Sequence, residues 1–193
     1  MKLILLRHGQ TFGNEGNVYE GHLPGKLSPI GVEQAKKVAS RLKDEKIDAI
    51  FCSDIGRAME TAKEIVAYHK HTPFFISKEI RELNFGSWQG KTKKELGFRE
   101  GYRPPLPADA ETRDQLFNRV KSFLELIKES YSDKTILLVS HNATNKALIS
   151  VLTNRKPEEM ENMETLHNTS LTIFELSKNK CQTILYNCRK HLE

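Results

Sequence analysis

Cysteine is scarce in this chain. Its three cysteines, Cys52, Cys181 and Cys188, form no CxxC pair, and an odd count leaves at least one unpaired. That excludes a disulfide framework and the paired spacing of a zinc site. Long apolar runs are missing too. The longest near the start, Leu3-Ile4-Leu5-Leu6, stops at Arg7, short of a signal-peptide core and far short of the roughly 20 residues of a membrane helix. Internal repeats, low-complexity tracts and Gly/Ser linkers are absent, so one domain is expected over residues 1–193. Together these absences point to a reduced, cytoplasmic chain with no membrane partner.

Charge of one sign is not concentrated either. Lys and Arg number 30 against 25 Asp and Glu, a net charge of +5. The positive residues are scattered, at Lys36-Lys37, Lys91 with Lys93-Lys94, and Arg189-Lys190. No basic stripe is interleaved with aromatics as a single-strand groove requires, so nucleic acid is disfavoured as a partner and a small anion is favoured. What the chain does have is apolar material, 38% of its residues including nine Phe. At this length that is enough for a core, which excludes a disordered protein.

Short β-branched or aromatic runs predict strands at Lys2–Leu6, Ala49–Cys52, Pro73–Ile76, Thr135–Ser140, Ser170–Leu176 and Gln182–Tyr186. Between them, apolar residues recur at helical spacing. One such face is Val32, Ala35, Val38, Ala39 and Leu42 behind the start signal Ser28-Pro29. Others run through Ile55, Ala58, Ala62 and Ile65, through Leu116, Val120, Phe123 and Ile127, and through Ala147, Leu148 and Val151. Alternating strands and helices predict a three-layer α/β sandwich around a largely parallel sheet. Gly97–Ala110 has neither period, carries three prolines with Arg99 and Arg103, and reads as a long loop at the sheet's edge with a claim on substrate selection.

In such sheets ligands bind beyond the carboxyl ends of the strands. The first strand runs into Arg7-His8-Gly9 and the fourth into Ser140-His141-Asn142. If those strands are neighbours, two imidazoles and a guanidinium face one crevice. Ser53-Asp54 are candidate N-caps of the next helix, which puts Arg57 in its first turn, where free N–H groups and a guanidinium fork suit a phosphate. Arg81-Glu82 adds a carboxylate near the same edge. The pieces read as a phosphate site with two histidines and one acid.

Four blocks carry a family resemblance. Arg7-His8-Gly9-Gln10 through Asn14 resembles the R-H-G-E/Q-x-x-x-N signature of the histidine phosphatase superfamily, phosphoglycerate mutase-like branch. Ser53 to Arg57-Ala58 and Thr61-Ala62 resembles its S-x-x-x-R-A-x-x-T-A segment, Arg81-Glu82 to Gly90 its R-E-x-x-F-G-x-W-x-G block, and Val139-Ser140-His141 its second histidine. The resemblance implies that His8 attacks a phosphomonoester and carries the phosphoryl group. It implies that Arg7, Arg57 and a protonated His141 hold the phosphoryl oxygens with Asn14, and that Glu82 is the proton donor and acceptor. It implies no metal and no cofactor. The family usually has Gly where this chain has Asn142, whose side chain either donates to the phosphate of the substrate or crowds the site. The short stretch from Leu96 to Ala110 favours water as acceptor, hence a phosphatase of a small phosphorylated metabolite, with phosphoglycerate mutase and a non-catalytic phosphate-binding module as alternatives. A homodimer is left open.

Overall fold

The structure, a computed structural model, describes residues 1–178 and 180–193. Six strands form one sheet: β1 (Lys2–Arg7), β2 (Ala49–Ser53), β3 (Phe74–Ser77), β4 (Thr135–Ser140), β5 (Leu171–Ser177) and β6 (Lys180–Cys188), in the order β3-β2-β4-β1-β5-β6. The first four run parallel, while β5 is antiparallel to β1 and β6 to β5. The predicted strands are all present within a few residues, and β6 is the one most extended beyond its predicted span.

Because side chains alternate across a strand, β1 splits its apolar residues between two cores. Leu3 and Leu5 point with Ile136 and Leu138 toward α4 (Arg113–Ser130) and α5 (Asn142–Leu152). Ile4 and Leu6 point with Leu137 and Val139 toward α2 (Pro29–Leu42) and α3 (Gly56–Val66). The three layers follow from that alternation, and removing one such leucine side chain to Ala costs about 2–5 kcal/mol. Ser28 caps α2 ahead of Pro29, as the sequence indicates. The start of α3 differs. Its N-cap is Ile55, with no side-chain cap, because Ser53 and Asp54 are used elsewhere. A single-turn α1 (Phe12–Glu15), capped by Thr11, has too few residues to leave a periodic signal.

Candidate active site

β1 and β4 are neighbours in register, with Arg7 opposite Ser140, so the two strand-end histidines do share one crevice. Just past β1 the chain is clamped. The His8 N–H donates to the Ser140 carbonyl at 3.0 Å, and the Gly9 N–H donates to Thr61 Oγ1 of α3 at 3.0 Å. On the other side α2 comes so close that a Cβ on Gly9 would lie 2.5 Å from the Gly31 oxygen, and one on Gly31 would lie 1.9 Å from the Gln10 oxygen. Only glycine fits at either place.

The His8 ring is buried. Its Nδ1 lies 2.7 Å from the Gly9 carbonyl oxygen, which only accepts, so Nδ1 bears the hydrogen and Nε2 the lone pair. Arg57 Nε donates to that Nε2 at 3.1 Å. Burial first, then the charges of Arg57 and Arg7, holds His8 well below the usual imidazole range, so it is neutral. His141 stands beside it, ring centroids 5.2 Å apart, also fully buried. Its Nε2 lies 2.8 Å from Ser53 Oγ, which already accepts from the Ile55 N–H. Ser53 Oγ has a second lone pair as well as its hydrogen, so this contact fixes the position of the ring and not its tautomer. Burial first, then Arg57, holds the His141 pKa well below the usual imidazole range as well.

Two buried atoms here have no partner: His141 Nδ1 and Arg7 Nε. Buried polar atoms are nearly always satisfied, so these two are the atoms of this cluster fitted to meet a polar ligand. Arg7 donates through Nη1 to the Leu166 carbonyl, and burial pulls its pKa down to about 10. Arg57, fully buried at the start of α3, is aimed by the Leu23 and Gly21 carbonyls, each 2.8 Å from one of its terminal nitrogens. Glu20 lies 4.0 Å from its Nε.

Glu82 sits across the N-terminus of α5. Its Oε1 accepts from the N–H groups of Leu83 and Ala143 at 3.0 Å and of Thr144 at 3.3 Å, while Oε2 has only the Ala143 N–H at 3.3 Å. Oε2 is thus the oxygen free to exchange a proton with a ligand. The segment bearing it is pinned from both sides. Arg81 pairs with Asp54, and Arg119 bridges Glu111 to the Arg81 carbonyl.

Asn14 and Asn142 line the same cavity, of about 940 Å³. Asn142 Oδ1 accepts from the Leu166 N–H at 3.0 Å, so that end of its amide braces the loop that Arg7 donates to. That loop, residues 166–169, is what sequence reasoning missed. Asn168 donates both to the His8 carbonyl at 3.1 Å and to Asn14 Oδ1 at 3.0 Å. Thr169, at φ +53°, donates to the Arg7 carbonyl at 3.0 Å. A β-branched residue in the left-handed region is rare and shows how firmly the loop is held. Its signal would have been the antiparallel return of β5 beside β1, which no residue pattern announces.

A histidine whose Nε2 lone pair meets a buried guanidinium, with a second buried histidine beside it and a carboxylate at a helix N-terminus, stands at the carboxyl edge of a parallel sheet, where ligands bind in such folds. The chain belongs to the histidine phosphatase superfamily (branch 1), whose family model matches residues 3–189. It is 30% identical over 169 residues to the adenosylcobalamin/alpha-ribazole phosphatase of Escherichia coli K12, covering 83% of each chain. It is 32% identical over 161 residues to phosphoserine phosphatase 1 of Hydrogenobacter thermophilus, covering 79% of this chain and 76% of the relative. The phosphoserine phosphatase of Entamoeba histolytica, solved with 3-phosphoglyceric acid, superposes with a TM-score of 0.85 at 29% identity over 100% of this chain and 99% of that one. Among the described residues no helix is long and apolar enough to cross a membrane.

Proposed function

We propose that the protein is a phosphatase of small phosphomonoesters that works through a phosphohistidine on His8. The observation that carries this reading is His8 itself, its Nδ1 hydrogen held by the Gly9 carbonyl and its Nε2 lone pair met by Arg57 Nε, with the unpartnered Arg7 Nε and His141 Nδ1 nearby. The His8 lone pair forms the N–P bond as the ester P–O bond breaks, and Glu82 Oε2 gives its proton to the leaving oxygen. Water then attacks phosphorus, Glu82 takes a proton from it, and the P–N bond returns its electrons to Nε2. Arg7, Arg57, His141 and Asn14 hold the phosphoryl oxygens through both steps. Phosphoryl transfer asks for positioning and charge stabilisation, which these side chains supply. Two relatives are named as phosphatases of alpha-ribazole phosphate and phosphoserine, which supports hydrolysis of a small metabolite.

Rapid quench with labelled p-nitrophenyl phosphate is expected to trap an acid-labile, base-stable phosphoprotein, and His8→Ala to abolish both the label and turnover while the fold persists. Turnover by His8→Ala near the wild-type rate would overturn the reading. The same reading makes catalysis metal-independent, so activity survives exhaustive EDTA treatment; loss restored by one divalent ion would refute that part.

A further inference from the structure

The charges that line the cavity are unevenly distributed. Arg7 and Arg57 face Glu20 and Glu82 at the bottom, so that half is balanced when empty. Farther out, Arg113 pairs with Glu161. That leaves Lys146, Arg103 and Lys93 lining the outer half, and among the described residues none of the three makes an ion pair. The anchor is Lys146, on the second turn of α5. It is half-buried, and its ammonium is fixed by donation to the Met163 carbonyl at 2.6 Å, with two hydrogens left over. Burial first, then the charge of Arg103, disfavours its ammonium form, and Arg7 adds to this; Glu82 and Glu164 oppose the shift without pairing with it. A neighbouring wall is apolar: Tyr19 packs on Phe85 and Trp88 with ring centroids 4.7 and 5.3 Å apart, and Phe98 closes on both. A charge beside such a wall is less screened than on open surface.

We propose that Lys146, with Arg103, binds a second acidic group of the substrate, so that the preferred ester is a phosphomonoester of a small acid. The proposal rests on the phosphatase reading above and names its substrate class. Arg99 takes no part: it is bridged to Tyr102 within its own turn and does not line the cavity.

The test uses two matched pairs that differ by one carboxylate, 3-phosphoglycerate against glycerol 3-phosphate and phosphoserine against phosphoethanolamine. The wild-type protein is expected to prefer the acidic member of each pair. Lys146→Met is expected to lower kcat/KM on the acidic member about tenfold more than on the neutral one, through KM, with Arg103→Gln acting in the same direction. Lys146→Arg restores the preference, and Arg99→Gln leaves it where it was. Equal losses on both members, or no loss on either, would overturn the proposal. Titration of the same four esters into His8→Ala, with and without Lys146→Met, reads the preference as a ratio of Kd values. If no ester is turned over, the phosphatase reading fails, and that ratio still decides the role of Lys146.

Discussion

The bottom of the cavity and its outer wall are built on different principles. At the bottom Arg7, His8 and His141 stand at strand ends and Arg57 at a helix start, and backbone partners hold three of the groups: His8 by Gly9, Arg57 by Gly21 and Leu23, Glu82 by the first turn of α5. The wall joins turns and aperiodic chain to positions on α4 and α5, its aromatic residues pack on one another, and Lys93, Arg103 and Lys146 make no ion pair among the described residues. A site that must stabilise one transition state for many esters gains from fixed donors. A surface that must tell esters apart gains from residues free to vary.

The largest expected effect tests that division directly. Arg57→Ala removes a donor at the bottom and is expected to lower kcat/KM about 10²–10³-fold on every ester alike. Losses that differ widely from ester to ester would erase the distinction between bottom and wall. Glu82→Gln is expected to slow esters with poor leaving groups by about 10²-fold while p-nitrophenyl phosphate loses far less, since its leaving group needs little protonation. Matched losses would remove Glu82 from proton transfer.

Ser53→Ala sharpens the comparison from within the bottom. It removes the hydroxyl that holds His141 Nε2 at 2.8 Å and is expected to cost about tenfold in kcat/KM. Its distinguishing readout is the imidazole ¹⁵N spectrum, in which the His141 Nε2 resonance moves as its partner is lost; an unchanged spectrum would mean Ser53 only fills space.

The smallest effect is on stability. His8, His141, His22 and His191 are all held below the ordinary imidazole value, His191 at about 4. Between that value and about 6.5 the unfolded chain binds more protons than the folded one, so stability is full above pH 6.5 and falls with acidification. The Tm is expected to drop between pH 7 and pH 5, and to drop less with saturating inorganic phosphate present. A flat Tm across that range would mean these rings are not buried neutral.

The same contrast decides what could be read from sequence. The layers were legible because Leu3 to Leu6 and Thr135 to Val139 are short apolar runs bounded by polar residues, and the helix faces because Ala35, Val38, Ala39 and Leu42 keep one period. Arg7, His8, Arg57 and His141 were legible because each stands at the end or start of such an element, and Glu82 because it follows the third strand beside Arg81. Asn168 and Lys146 were not. Asn168 lies on a loop whose place depends on β5 returning antiparallel beside β1, a long-range pairing with no local pattern. Lys146 looks like any helical lysine until the fold shows that it is half-buried with cations around it. Ser53 and Asp54 look like helix caps, and tertiary structure gave them other partners, His141 and Arg81.

The contact of Gly9 and Gly31 has an entropic consequence. Backbone atoms, not side-chain rotamers, set where the His8 peptide lies, since α2 presses on it from one side and β4 and Thr61 grip it from the other. An arriving ester therefore meets a His8 backbone with little conformational freedom left to lose, so little of the entropic cost of capture falls on that peptide.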